Sequence, residues 1–192
     1  MNVALILNYK AATETISCAE SLLDHCPTID HIVIVDNDSQ DGSDRALQQW
    51  LDEKPSAKAT LLCNPENNGY AGGNNYGLRW AMENLQPEYF WVVNNDTYVD
   101  SDAFSPLLEA LKRDDRQFVG SLVLSADTGR LECYGGGKLY PLLGKAKLLG
   151  KAAGEKFNVR HKGWTYEIAS WQADRLTKSL DDLLEDLPEP EP

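Results

Sequence analysis

An α/β fold with a largely parallel sheet is the architecture this 192-residue chain predicts. Three observations predict it. Short apolar runs suited to strands alternate with helix-length amphipathic segments. Their spacing leaves room for a helix between successive strands, as parallel pairing requires. Two of the runs, His31–Val35 and Tyr89–Val93, stop abruptly in polar clusters, Asp36-Asn37-Asp38 and Asn94-Asn95-Asp96. Two hydrophobic strands that end this way place one polar site at one edge of one sheet.

The elements follow in order. Val3–Leu7 reads as the first strand, with Asn8-Tyr9-Lys10 after it. A helix is expected from a Thr13 cap to about His25, with Ile16, Ala19, Leu22 and Leu23 on one face and Pro27 ending it. After the strand His31–Val35 comes a loop rich in Asp, Asn, Ser and Gly, Asp36–Ser43, and a helix over Asp44–Asp52. That helix turns Ala46, Leu47, Trp50 and Leu51 inward. Ala59–Cys63 is a short strand and Asn64–Gly73 a turn-rich loop. A helix over Asn74–Leu85 leads through Pro87 to the strand Tyr89–Val93. Phe104–Arg113 is a further helix and Gln117–Leu124 a further strand.

Beyond Ser125 the character changes. Asp127-Thr128-Gly129 is a turn, and Gly135-Gly136-Gly137 is flexible or tightly bent. Residues 138–163 show no clear period. Leu176, Leu180, Leu183, Leu184 and Leu187 then fall at helical spacing, before the Pro-Glu-Pro-Glu-Pro tail.

A net charge of −12 disfavours nucleic acid as a partner. The charge is uneven: Lys138 to Lys162 carries six lysines and one arginine against Glu155 alone. The last 19 residues carry seven acids against Arg175 and Lys178. The plainer reading of each block is a solvated surface; the sharper one sets the basic segment against a phosphate-bearing ligand or an anionic membrane surface. No stretch approaches the ~20 apolar residues that span a bilayer, and the chain starts directly on a strand. The expectation is a cytoplasmic protein, at most touching the inner face of the membrane. Cys18, Cys26, Cys63 and Cys133 are scattered without C-x-x-C spacing and read as reduced thiols.

Three segments carry chemistry. Asp36 to Ser43 can accept hydrogen bonds from ribose hydroxyls and base N–H groups, although Asp41 and Ser43 also suit a turn that caps the next helix. Asn64 to Gly77 sets glycines before a helix, where backbone can approach an anionic ligand closely. It is neither G-x-G-x-x-G nor a P-loop. Asn94-Asn95-Asp96 offers Asp96 as a hard oxygen ligand for Mg²⁺ or Mn²⁺, with Asn95 orienting a water or sugar hydroxyl. Its plainer reading is a turn capping the helix near Phe104.

Taken together and in this order, Leu5-Ile6-Leu7-Asn8-Tyr9, Ile34-Val35-Asp36-Asn37 with Asp41-Gly42-Ser43, Asn64 through Asn75, and Asn94-Asn95-Asp96-Thr97 resemble family 2 glycosyltransferases. The resemblance covers roughly residues 1–137 and is closest to the rhamnosyltransferase-type branch. It implies a GT-A fold, a Rossmann-like α/β/α three-layer sandwich. It also implies transfer of a sugar from a nucleoside diphosphate sugar, dTDP- or UDP-linked, to a saccharide or lipid-linked acceptor in surface polysaccharide synthesis, with inversion. Asn8 and Tyr9 would lie beside the nucleotide, and Asp36 with Asn37 would hold base or ribose. Asn68, Gly69, Gly73 and Asn74 would line the donor pocket. Asn94 and Asn95 would complete it, with Asp96 on a divalent metal. This element keeps only the last acid of the family's D-x-D.

The implied organisation is a donor-binding domain over residues 1–137, a divergent basic remnant of the acceptor region over 138–169, and a C-terminal helix with an acidic tail over 170–192. The family's late Glu-Asp pair supplies a general base. Here Glu185-Asp186 leaves Asp186 as the candidate, on an acidic helix without the family's aromatic context. The leucine face covers exposed sheet or makes a homodimer contact. Beside an active transferase stand a donor-binding relative without catalysis and a non-enzymatic assembly partner.

Overall fold

The computed structural model describes residues 1–113 and 119–128, and the strand segments 131–134, 137–140, 145–148, 156–161 and 164–169. The chain divides into two compact units, residues 1–115 and 116–192.

The first unit is built on four parallel strands: β1 (Asn2–Asn8), β2 (His31–Asn37), β3 (Ala59–Asn64) and β4 (Tyr89–Asn94), in the order β3-β2-β1-β4. Four helices join or follow them: α1 (Ala12–His25), α2 (Ser43–Glu53), α3 (Gly69–Asn84) and α4 (Phe104–Arg113). Alternate strand residues point to opposite faces, and each face has its own core. On one, Ala4, Ile6, Ile32 and Ile34 pack with Cys18, Ala19 and Leu22 of α1, Leu47 and Trp50 of α2, and Phe104 of α4. On the other, Val3, Leu5, Val33, Val35 and Leu62 pack with Ala81 of α3. A parallel sheet buried on both faces explains why the strands read as continuous apolar runs. Glu20 of α1 accepts from Trp50 Nε1 at 3.1 Å and pairs with Lys54, tying α1 to α2.

The register fixes what meets at the C-terminal edge of this sheet. Asn8 lies opposite Asp36, Asn37 opposite Asn64, and Leu7 opposite Asn94.

Several expectations need correction. The α1 cap is Ala11, not Thr13, and its side chain makes no capping bond. Helix α3 begins at Gly69, five residues before the expected Asn74. Glycine propensity argues against so early a start, but packing overrides it. A Cβ on Gly77 would lie 2.5 Å from Leu5 Cδ1 and 2.6 Å from Val35 Cγ2, so glycine lets this helix lie close on the sheet. Of the strand expected over Gln117–Leu124, Leu122–Leu124 form β5, residues 119–121 precede it, and residues 117 and 118 lie outside the described residues.

In the second unit β5 pairs antiparallel with β6 (Leu131–Tyr134), β7 (Gly137–Tyr140) with β8 (Lys145–Leu148), and β9 (Lys156–His161) with β10 (Trp164–Ala169). The segment expected to lack a period is therefore partly strand. Its lysines masked a period of two, in which Phe157 and Val159 alternate with Lys156, Asn158 and Arg160; just beyond it Trp164, Tyr166 and Ile168 alternate with Thr165, Glu167 and Ala169. The leucine helix and Asp186 lie outside the described residues. Among the described residues no helix is long and apolar enough to cross a membrane.

Candidate functional site

Polar groups gather where β1, β2, β3 and β4 end, and they form two hydrogen-bonded groups, one on each side of the sheet. On the α1 side, Asn8 Nδ2 donates to Asp36 Oδ1 at 2.6 Å and to Ser39 Oγ at 3.2 Å. The Ser39 hydroxyl donates to Asp36 Oδ1, and Ser39 N donates to Oδ2 at 3.1 Å. Thr15 Oγ1 donates to Asn8 Oδ1 at 2.8 Å, and Asn95 Nδ2 donates to Thr15 Oγ1 at 3.2 Å. Asn95, Thr15, Asn8, Asp36 and Ser39 thus form one chain from β4 to β2. Asn8, Thr15, Asp36 and Ser39 are buried. A buried carboxylate persists only when its lone pairs are bonded, which Asn8 and Ser39 achieve.

Lys10 N donates to Ser39 Oγ at 3.0 Å, joining the loops after β1 and β2. Lys10, Asp38 and Gln40 in these loops have φ of 57°, 56° and 54°. Left-handed backbone is uncommon for residues with a Cβ, and such residues occur both in turns and in functional loops. The ring of Tyr9 is half exposed, with the Lys10 ammonium 5.0 Å from its centroid. Ser43 donates its backbone N–H to Asp41 Oδ1 at 3.0 Å. Bonds from Ser43 hold the Asp41 carboxyl below the usual range.

On the α3 side the group contains only amides, backbone and one phenol. Asn64 Nδ2 donates to Asn37 Oδ1 at 2.8 Å, and Asn37 Nδ2 to Asn67 Oδ1 at 2.9 Å. Gly69 N donates to the same Asn67 oxygen at 2.9 Å, which starts α3. Asn64 Nδ2 also reaches Asn68 Oδ1 at 3.4 Å. Tyr70 Oη donates to Asn94 Oδ1 at 2.9 Å, and Asn74 Nδ2 donates to the Tyr70 carbonyl at 2.9 Å. A Cβ on Gly73 would lie 2.5 Å from Leu7 Cδ1 and 2.9 Å from Asn37 Oδ1. Gly73 is therefore spent on helix–sheet contact.

At the end of β4, Thr97 N donates to the Asn94 carbonyl at 3.1 Å, closing a turn that leaves Asp96 exposed. The capping role goes elsewhere: Asp102 Oδ1 accepts from Phe104 N at 3.2 Å and Ser105 N at 3.0 Å. Cys18 Sγ reaches the Asn94 carbonyl at 3.5 Å. Burial, and after it the Asp96 charge, push this thiol up to about 12, so it is inert.

The sheet edge thus brings together Asn8, Asp36, Asn37, Asn74, Asn94 and Asn95, with Tyr9, Asn68, Gly69, Gly73 and Asp96 around them. Sequence reasoning missed Thr15, Ser39, Asn64, Asn67 and Tyr70 as members of these networks. Asn64, Asn67 and Tyr70 stand inside the motif stretch and were there to be found; Thr15 carries no local signal. Among the described residues no group of three or more His, Cys, Asp or Glu could hold a metal ion. One exposed carboxylate suits Mg²⁺ or Mn²⁺ arriving with phosphate oxygens, because such ions bind through one or two carboxylates plus substrate. A cavity of about 410 Å³ lies at the opposite end of the sheet, beside Leu22, Cys26, Ile29 and Lys58, and none of the site residues line it.

Known proteins resemble this chain in sequence and in fold. The hexosyltransferase Agl10 of low-salt glycan biosynthesis in Haloferax volcanii is 28% identical over 98 residues, which are 51% of this chain and 28% of that protein. The mannosyltransferase PcManGT from Pyrobaculum calidifontis, solved with GDP-Man and Mn²⁺, superposes with a TM-score of 0.56 at 21% identity, covering 66% of this chain and 36% of that one. TarS 1-349 of S. aureus superposes with a TM-score of 0.51 at 16% identity, covering 67% and 37%. The chain spans 28% of the curated relative and 36% and 37% of the two structures. At these identities the superpositions show the fold, GT-A. The model of glycosyl transferase family 2 matches residues 4–165, most of the sequence, and the chain belongs to that family.

Proposed function

We propose that this chain takes a sugar from a nucleoside diphosphate sugar and transfers it to a hydroxyl of a saccharide or lipid-linked acceptor, with inversion, in the cytoplasm. The observation that carries the reading is the meeting of the Asn8–Asp36 and Asn37–Asn64 pairs at the C-terminal edge of a parallel sheet, where α/β folds bind nucleotides. PcManGT was solved with GDP-Man and TarS with UDP-GlcNAc, which supports the donor class.

In this reading Tyr9 lies against the nucleoside, and Asp36 with Asn8 forms the wall that meets base or ribose. Asn68 and Gly69, at the start of α3, face the diphosphate, whose charge suits a helix N-terminus. Asp96 is the protein ligand for a divalent metal, which supplies counter-charge to the diphosphate as it leaves. The acceptor hydroxyl needs a general base, for which Asp186 is the sequence candidate.

The test is thermal unfolding with dTDP, UDP and GDP, each with and without Mn²⁺, on the wild type and Asp96→Ala. A ligand at about 100 times its Kd adds ~2.7 kcal/mol of stability. The expected result is a shift with one nucleotide, larger with Mn²⁺, and loss of the metal-dependent part alone in Asp96→Ala. No shift with any nucleotide overturns the reading. An acceptor screen with the matching sugar nucleotide then separates transfer from donor binding alone.

A further inference from the structure

Two ribbons of the second unit treat their cations differently. Residues paired across an antiparallel ladder share a face, and successive residues along a strand change face. In β9–β10 the register sets Asn158 opposite Glu167, with Lys156 opposite Ala169 and Arg160 opposite Thr165. Glu167 is therefore diagonal to both cations, on their own face. In β7–β8 the register sets Lys138 directly opposite Lys147, and Tyr140 opposite Lys145. Three lysines and a tyrosine thus share one face, and Gly137, Leu139, Ala146 and Leu148 take the other. Neither strand carries an acid, and between Lys138 and Lys162 the sequence has Glu155 alone.

Like charges directly opposite one another, with Cβ atoms ~5 Å apart, destabilise a ladder. In a chain with 30 acids this is not for want of carboxylates. An anionic partner from outside the ribbon would turn the repulsion into attraction. The sequence that joins the two strands narrows the choice of partner. It reads Pro141-Leu142-Leu143-Gly144. Proline and glycine suit a turn, but two leucines between them are out of place for a turn in water. Lysines, a tyrosine and an apolar connection together suit a surface that is both anionic and apolar. A bilayer is such a surface, and a nucleic acid or an acidic peptide is not.

We propose that the face of β7–β8 that carries Lys138, Tyr140, Lys145 and Lys147 docks this protein on an anionic lipid bilayer. The lysines supply attraction to headgroup phosphates, and tyrosine is a residue favoured at headgroup level. The proposal goes beyond the transfer reaction and does not depend on it, because no nucleotide enters its test.

The experiment is co-sedimentation of the full chain with vesicles of phosphatidylcholine alone, and of phosphatidylcholine mixed equally with phosphatidylglycerol. Three proteins are compared. One is the wild type, and one carries Lys138→Gln, Lys145→Gln and Lys147→Gln together. The third carries Lys151→Gln, Lys156→Gln and Lys162→Gln, the same change of charge elsewhere in the basic segment. A lysine near an anionic surface contributes about fivefold to partitioning, so the hairpin variant should bind the mixed vesicles about a hundredfold more weakly. The other variant should lose about fivefold or less. Wild type should not sediment with phosphatidylcholine alone. Its binding to the mixed vesicles should fall as salt shortens the Debye length from ~30 Å at 0.01 M to ~8 Å at 0.15 M. The hairpin variant removes a repulsion and so keeps its fold, which circular dichroism checks. Equal losses in the two variants overturn the assignment to this face in favour of diffuse charge. Failure of wild type to bind the mixed vesicles overturns the bilayer as partner. So does binding to a single-stranded oligonucleotide as tight as to the vesicles.

Discussion

The two sides of the sheet's C-terminal edge are built from similar polar residues and differ in charge and exposure. On the α1 side Asn8, Thr15, Asp36 and Ser39 are all buried, around one carboxylate. On the α3 side Asn37, Asn64 and Asn74 are buried, while Asn67, Asn68, Gly69, Tyr70 and Asn94 are exposed, and no carboxylate joins the network. The difference follows from desolvation. A buried carboxylate must be fully bonded by the protein, which makes its surroundings rigid. Neutral amides can stand half-bonded at a surface. An acid at a sheet edge is therefore not automatically the group a ligand would meet first: in the proposed reading Asp36 shapes a wall, and the exposed amides would meet the ligand.

Asp36→Ala breaks this comparison hardest. It leaves Asn8 Nδ2 and both donors of Ser39 facing an emptied, dry position. We expect a loss of about 3 kcal/mol in urea unfolding, together with weaker nucleotide binding with or without metal. A loss below about 0.5 kcal/mol, the range of surface substitutions, would mean the network is not the scaffold described.

Gly77→Ala acts on the α3 side without touching a polar group. The new methyl must displace Leu5 and Val35, both fully buried strand residues. Overpacking costs about 1–3 kcal/mol, and the better helix propensity of alanine returns about 1, so a net loss of about 1 kcal/mol is expected. Because α3 would lift from the sheet, Tyr70 and Asn74 move and Asn8–Asp36 does not. Stability equal to or above wild type would show that the helix has room to shift.

Much of this was legible in the sequence, and the failures have physical causes. The strands announced themselves because a sheet buried on both faces needs unbroken apolar runs, and Asn8, Asp36 and Asn94 stood where those runs stopped. Gly73 and Gly77 were harder. A glycine that admits a ligand and one that admits a neighbouring strand look identical in sequence, and only the positions of Leu5, Leu7 and Val35 separate them. That ambiguity delayed the expected start of α3 to Asn74. Thr15 was invisible because its partners, Asn8 and Asn95, lie 7 and 80 residues away. In the second unit the basic composition hid a period of two: Phe157 and Val159 alternate with Lys156, Asn158 and Arg160, and such alternation is itself the signature of a strand.

The smallest expected effect comes from the opposite end of the same sheet and serves as the control for both sides. His31 opens β2, with Nε2 2.9 Å from Thr60 Oγ1, and burial lowers its pKa below the usual histidine value of about 6.5. The folded state therefore favours the neutral ring. Between the folded and unfolded pKa values the unfolded chain binds more protons, so stability rises with pH there. The contribution is complete above about pH 6.5 and is lost as the pH falls through that value toward the lower, folded pKa. From pH 7.5 to 5.5, wild type should lose more stability in urea than His31→Gln, while nucleotide affinity changes equally in the two proteins. Equal pH dependence of stability would show that the ring is solvated. A pH-dependent affinity difference between them would show that the start of β2 communicates with its end, and the two sides of the site could then no longer be treated apart from the rest of the sheet.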